Sequence, residues 1–141
     1  MSRKKTFVDT GVLIAAARGE KDEAEQAMKI IDDLDREFVA SPFLKLEVLP
    51  KAVYGKREAE ASFYETFFDA VTYWADSVKE ITTNAYAEAC KFGLGAMDAL
   101  HIAAAVSAGA EDFITTEKLG KPIHRVDSIR VLSIQPHKDT K

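Results

Sequence analysis

Apolar residues in this chain fall into short continuous runs and spaced repeats, and the two patterns alternate along the sequence. The short runs are β-favouring and stop at a polar residue or a glycine, as buried strands do. They predict strands at residues 6–8, 38–40, 112–115 and 129–134, and a strand or edge segment at residues 73–75. The spaced repeats follow helical intervals of three and four residues. They predict helices at residues 12–17, 22–36, 57–71 and 96–108.

Signals at helix ends predict two further helices. Ser41 and Pro42 form a helix start, because serine is a good N-cap and proline suits the first helical position. Pro50 is expected to kink that helix or to end its first part near Leu49. Another helix is predicted to begin at a cap formed by Thr82 or Thr83, after a turn at residues 76–79. It is predicted to run to Lys91 and to end before the glycines Gly93 and Gly95.

Strands that alternate with helices predict an α/β fold, with a mostly parallel central sheet flanked by helices in a three-layer sandwich. The 141 residues, 47% of them apolar and 30% charged, suit one domain spanning residues 1–141. Within it, residues 137–141 have the composition of a loose tail.

Composition narrows the functional class only a little. A net charge of -4 argues against a protein that coats nucleic acid nonspecifically, although a local basic patch can still bind phosphates. The single cysteine, Cys90, cannot form an internal disulfide and is expected to be a small core residue. The N-terminal residues lack the apolar stretch of a secretory signal, and no apolar run approaches the ~20 residues of a membrane span. We therefore expect a cytoplasmic protein with no membrane partner.

Four acidic residues far apart in the chain lie where a predicted strand or helix begins or ends: Asp9, Glu47, Asp98 and Glu117. Carboxylates at such positions can converge on one side of an α/β sheet and hold a divalent cation. Asp98 is the most informative, because it opens an otherwise apolar helix and a buried carboxylate needs a partner. Its partner is a cation, a basic side chain or the positive end of its own helix, worth roughly 0.3 to 1 kcal/mol.

Four segments carry a family resemblance: residues 7–14, 46–48, 95–105 and 113–117. In order and approximate spacing they resemble the PIN-domain ribonucleases, most closely the small VapC-type toxins of toxin-antitoxin pairs. The resemblance is strongest over residues 6–117. No single segment is specific, and the ordered set carries the likeness. The chain departs from the family at Glu117, where an aspartate is usual.

The resemblance implies a single-domain PIN-like fold and hydrolysis of RNA phosphodiesters with Mg²⁺ or Mn²⁺. Asp9 and Asp98 would then be the principal metal ligands, Glu47 a ligand or a base that orients water, and Glu117 an outer or second-metal ligand. Thr10 and Thr115 are possible supporting hydroxyls, with local turn or capping roles equally open. The implied partners are an RNA substrate, a cognate antitoxin protein and a second copy of the chain in a homodimer.

Several residues and functions stay open. His101, three positions after Asp98, is expected to be a structural histidine, because metal hydrolysis of this kind needs no imidazole. Five cations could receive RNA or be ordinary surface charges: Lys45, Lys51, Lys118, Lys121 and Arg125. The aromatic group at residues 63–68 is expected to be core, or else a dimer or antitoxin surface. A phosphoacceptor domain would need two acids near the first strand, and the chain has only Asp9 there. A PIN-like RNA- or protein-binding module with weakened catalysis is the other alternative.

Overall fold

The computed structural model describes residues 2–134, and it contains a single sheet of five parallel strands in the order β3-β2-β1-β4-β5. The strands are β1 (Lys4–Val8), β2 (Arg36–Ala40), β3 (Tyr73–Trp74), β4 (Asp112–Thr115) and β5 (Arg130–Ser133). Every strand predicted from the sequence is present, and the sheet is entirely parallel. The short β3 lies at one edge, as the pattern allowed.

Six α-helices and one 3₁₀ turn connect the strands, which confirms the predicted α/β sandwich. The helices are α1 (Thr10–Arg18), α2 (Lys21–Ile31), α3 (Pro42–Tyr54), α4 (Glu58–Ala70), α5 (Val78–Phe92) and α6 (Ala96–Ser107), and the 3₁₀ turn spans Pro122–Arg125. Consecutive residues of the central strands are buried, three at the end of β1 and all four of β4. Because successive side chains point to opposite faces, both faces of the sheet are covered.

The core is centred on the two middle strands and the helix α6. Phe7 and Phe113 from neighbouring strands stack with ring centroids 5.3 Å apart, and both are fully buried. Four alanines of α6 are buried as well, and their small side chains allow the helix to pack closely. Of the predicted aromatic group, Tyr64, Phe67 and Phe68 are buried, and their place in the core is confirmed.

Two predicted helix boundaries were wrong. The helix α2 ends at Ile31 and not at residue 36, because Arg36 already pairs with Lys4 as the first residue of β2. Leu34, counted as part of the helical repeat, is 83% exposed. The helix α5 begins at Val78 after Ser77, within the predicted turn, and not at a threonine. Thr82 instead donates its hydroxyl to the carbonyls of the preceding turn, within the helix.

Of the two outcomes expected at Pro50, a kink or an end of the helix, the end is wrong, because the helix α3 continues through Pro50 to Tyr54. Proline removes the N–H that Leu46 would have received, but both residues lie on the exposed face, where water can satisfy that carbonyl. Cys90 is exposed, so it is not a core residue. The Ser41 N-cap is confirmed, since its hydroxyl oxygen accepts from the Leu44 N–H at 3.2 Å.

The remaining expectations concern membrane spans, the C-terminal tail and the extent of the domain. No single helix within residues 2–134 has the length and apolar composition to cross a bilayer. The pair α5 and α6 passes that test only together, across a 118° bend. The tail expected at residues 137–141 lies outside the described residues, so a domain spanning residues 1–141 stays a prediction.

Candidate active site

The carboxyl ends of β1 and β4 place two site residues side by side. Asp9 directly follows β1, and its N–H donates to the Ile114 carbonyl of β4 at 3.0 Å. Thr115 is the last residue of β4 and is fully buried. Parallel strands bring their carboxyl ends to one edge of the sheet, which is where open α/β sheets bind ligands. The register of the two central strands therefore fixes this part of the site.

Asp9 is a buried carboxylate with two hydrogen-bond donors. The Thr115 hydroxyl donates to Oδ2 at 2.5 Å, and the Val12 N–H donates to Oδ1 at 3.3 Å, so that Asp9 also caps α1. Burial raises the pKa of Asp9 to about 6, the two hydrogen bonds work against that rise, and the charge of Asp98 adds to it. Asp9 is thus an acid whose charge is only partly compensated in the folded protein.

Glu47 reaches the same region from the middle of α3. Its Oε1 accepts from the Thr10 hydroxyl and lies 2.8 Å from His101 Nε2. The hydrogen bond from His101, the contact with Thr10 and the nearby charge of Lys51 hold the pKa of Glu47 below its usual range, although burial opposes them. Glu47 is therefore kept ionised.

Asp98 completes the acidic group from the first turn of α6 and is half-buried. Burial raises its pKa, and the charges of Glu117 and Glu47 raise it further, while His101 opposes them. Glu117 follows β4, and its N–H donates to the Thr115 hydroxyl at 3.0 Å. Asp98 therefore lies within electrostatic reach of each of the other three acids predicted from the sequence.

Hard oxygen ligands of this kind suit Mg²⁺ or Mn²⁺. Burial is the main cause of the raised pKa values of Asp9 and Asp98, and repulsion from other acids adds to it. A cation bound between the two carboxyls would favour their ionised forms. Within residues 2–134, however, no three His, Cys, Asp or Glu side chains are grouped closely enough to enclose an ion. Asp9 and Glu47 are held by hydrogen bonds instead. The donor chemistry fits a divalent cation, and closing around it requires side-chain adjustment.

Sequence reasoning missed the close approach of α1 to the end of β4. A Cβ at Gly11 would lie 2.1 Å from Thr116 Oγ1, so only glycine fits there without a shift of that side chain. The signal was the glycine directly after Asp9 and Thr10. Gly11 lets the first turn of α1 rest on the strand that carries Thr115.

Two of the five predicted cations have defined contacts. Lys51 acts electrostatically on Glu47, one helical turn away. Arg125 donates to the Phe92 carbonyl at 3.0 Å and so closes the end of α5. The other three cations are exposed: Lys45, Lys118 and Lys121. Lys51 is therefore the candidate whose charge acts on one of the four acids.

Comparison with known proteins supplies the family. The PIN domain family model matches residues 6–119, which covers every acid of the site. The chain belongs to the PIN-domain family. PIN domains are generally nucleases, and PIN nucleases generally use a divalent metal. A search of curated proteins gives no match.

Solved structures share the fold of this PIN domain at low sequence identity. One is VapBC2 from Rickettsia felis bound to a DNA fragment from their promoter, with a TM-score of 0.68 and 13% identity over 92% of this chain and 98% of that chain. Another is DNA-bound VapBC from Salmonella typhimurium, with a TM-score of 0.65 and 18% identity over 93% of this chain and 98% of that chain. At these identities the likeness shows a common fold.

Proposed function

We propose that this PIN domain is a divalent-metal-dependent endoribonuclease that hydrolyses RNA phosphodiester bonds. The observation that carries the proposal is electrostatic. Asp9, Asp98 and Glu117 come from remote parts of the chain, and Asp98 responds to the charges of both Glu117 and Glu47. A fold without a cationic ligand gains nothing from such repulsion.

Each acid has a distinct part in this proposal. Asp9 and Asp98 are the principal metal ligands, since they are the acids whose pKa values are raised. Glu47, already ionised, is a ligand or orients the attacking water. Glu117 is an outer or second-metal ligand. When bound, Mg²⁺ or Mn²⁺ supplies a Lewis acid that lowers the pKa of water and neutralises developing phosphate charge.

Two hydroxyls keep these acids in place. The Thr115 side chain donates to Asp9 and accepts from the Glu117 N–H, so it ties two proposed ligands together. Thr10 holds Glu47. Lys51, on the same helix as Glu47, is placed to attract an RNA phosphate toward an otherwise acidic surface.

An RNA cleavage assay tests the proposal. Purified protein is incubated with labelled RNA and Mg²⁺ or Mn²⁺, with and without EDTA. Cleavage should require the metal and should disappear in both Asp9→Asn and Asp98→Asn. Both variants are purified in the same way as the wild type, so a contaminating nuclease would leave activity in all three. Metal-independent cleavage, or full activity in either variant, contradicts the proposal.

The resemblance to VapC-type toxins extends the proposal to partners. VapBC structures share the fold, and a cognate antitoxin is therefore the proposed protein partner of this chain. We expect it to place a segment in or near the acidic site and to block metal or RNA access. Cleavage that persists in the saturated complex would contradict this. A homodimer and a cytoplasmic location are further parts of the same proposal.

A binding module with weakened catalysis is the second candidate. It is favoured by the lack of any group of three potential ligands close enough to enclose an ion within residues 2–134, together with glutamate at position 117. Titration of labelled RNA separates the two functions. Retained RNA affinity with no cleavage in either metal supports the binding module.

A further inference from the structure

His101 is a buried side chain that serves the site through Glu47. It lies in the middle of α6 and is only 3% exposed. Its Nε2 is 2.8 Å from Glu47 Oε1, which belongs to a residue 54 positions earlier in another helix. The ring also lies against Phe7, with centroids 5.7 Å apart. The imidazole is thus fixed between the sheet and the acidic site.

The second ring nitrogen of His101, Nδ1, has no hydrogen-bond partner within residues 2–134. His101 Nδ1 is buried and has no hydrogen-bond partner within the described part of the chain. A carboxylate only accepts, so Nε2 must be the donor in this contact, and Nδ1 is left buried without a hydrogen-bond partner among the described residues. A histidine that only fills the core is expected to satisfy both nitrogens. Here one nitrogen is left unpaired and the other serves Glu47.

Thr10 acts on the same carboxylate oxygen. Its hydroxyl donates to Oε1, the oxygen that His101 also contacts. Thr10 is the first residue of α1 and directly follows Asp9. Two donors from two different helices therefore fix one oxygen of a glutamate from a third helix. Within residues 2–134, both hydrogen bonds to the Glu47 carboxylate fall on Oε1, which leaves Oε2 for another ligand.

We propose that His101 is a positioning residue, which with Thr10 holds Oε1 of Glu47 so that Oε2 is presented to a divalent cation. This inference rests on the proposed metal-dependent function, which it deepens by assigning a residue to the support of Glu47. Donors that orient a metal-binding carboxylate typically change metal affinity by about 10- to 100-fold when they are removed.

Binding of Mn²⁺ alone, measured by calorimetry without RNA, gives a readout that does not depend on cleavage. His101→Leu should weaken Mn²⁺ binding by about 10- to 100-fold. His101→Gln should recover most of the affinity, because a glutamine amide can donate from nearly the position of Nε2. Thr82→Val is the matched control for Thr10→Val, since the Thr82 hydroxyl bonds only to its own helix. Thr10→Val should weaken binding and Thr82→Val should not.

A double-mutant cycle separates positioning from general damage to the fold. In a Glu47→Gln background, His101→Leu should have little further effect on Mn²⁺ affinity, because the two residues act as a unit. An unchanged Mn²⁺ affinity in His101→Leu overturns the proposal, and so do additive effects in the cycle or failure of His101→Gln to recover binding.

The two proposals fail differently. If Mn²⁺ affinity does not depend on His101 but the wild type cleaves RNA, the positioning proposal is wrong and the proposed nuclease function is retained. Mn²⁺ binding that depends on His101, in a protein that does not cleave RNA, supports positioning and contradicts the nuclease. A wild type that binds no Mn²⁺ overturns both. Nitrogen-15 spectra of the metal-free protein add a direct check, since protonation at Nδ1 in place of Nε2 contradicts the hydrogen bond to Glu47.

Discussion

The two ends of the central sheet each bury an aspartate, and they treat it in opposite ways. At the amino end, Asp112 opens β4 with 1% exposure, and at the carboxyl end Asp9 follows β1 with 8% exposure. Burial raises the pKa of both carboxyls. At Asp112, Arg130 and Arg36 more than offset that effect and hold the pKa below its usual range. At Asp9 the offset is incomplete, and the pKa is about 6.

The geometry explains the difference. Arg130 donates to both oxygens of Asp112, at 2.7 and 3.1 Å, and Arg36 donates to Oδ2 at 2.9 Å. These contacts join β2, β4 and β5 through one carboxylate. Within residues 2–134, Asp9 accepts hydrogen bonds only from a hydroxyl and a backbone N–H, and the charges of His101 and Asp98 shift its pKa in opposite directions. A buried acid paired with two arginines supports the fold, whereas an acid with no arginine or lysine partner is available for a ligand.

The largest expected effect is on catalysis. Asp98→Asn removes a proposed ligand, so RNA cleavage should fall by more than about 100-fold, above the range seen for residues that only support a ligand. Asp112→Asn, at the other end of the sheet, should retain its activity per folded molecule. Initial rates at saturating Mn²⁺, corrected for the folded fraction, provide the measurement. Equal losses in both variants would remove the distinction between the two ends.

Stability should show the reverse order. Asp112→Asn leaves Arg36 and Arg130 without their shared carboxylate, and unfolding in urea should become easier by about 2 to 3 kcal/mol. This expected loss of stability is no larger than the smallest losses found when a buried ion pair is broken, because the Arg130 side chain is 56% exposed and can be hydrated. Arg130→Met serves as the control that removes a single partner and should cost less. A change of under about 0.5 kcal/mol in Asp112→Asn, the size typical of surface sites, would contradict a structural role.

Asp9→Asn should stabilise the metal-free protein by roughly 1 to 3 kcal/mol at pH 7, while abolishing cleavage. The raised pKa means that between about pH 4 and pH 6 folded Asp9 keeps a proton that the unfolded chain releases. The stabilising contribution is therefore complete below about pH 4 and is lost as the pH rises through about 6. Melting temperatures in EDTA across this range test the sign. A gap between wild type and Asp9→Asn that shrinks as the pH rises would contradict it.

Of the two ends of the sheet, the sequence predicted the acids at the carboxyl end but not the ion pairs of Asp112 at the amino end. The strand ends, the Ser41 cap and the four acids were predicted, because periodicity and capping depend on neighbours in the chain. The cluster around Asp112 was not, because Arg36 was assigned to a helix and its partner lies 76 positions away. Pairings of this length depend on sheet order, which local patterns do not encode.

His101 shows the same limit within the site. Its spacing from Asp98 was visible, but its contact with Glu47 depends on how α3 packs against α6. The expectation that it is structural was correct about its burial and did not include that contact. The prediction that Thr82 caps α5 was wrong for a related reason. A threonine can cap a helix or donate its hydroxyl to a carbonyl within one, and the start of the helix after Ser77 decides between these two roles.

The smallest expected effect concerns Glu117, where the chain departs from the usual family residue. Its charge raises the pKa of Asp98, so it lies close enough to influence a cation bound there, and its backbone is fixed by Thr115. Glu117→Asp keeps the charge and shortens the reach, so Mn²⁺ affinity and cleavage should change by only about 3- to 10-fold. Glu117→Gln removes the charge and should lower the pKa of Asp98 toward its usual range, because a like charge no longer opposes ionisation. Carboxyl carbon-13 titration of Asp98 in the metal-free protein measures that shift. If the Asp98 titration is the same in wild type and Glu117→Gln, Glu117 does not belong to the acidic group, and the site reduces to Asp9, Glu47 and Asp98.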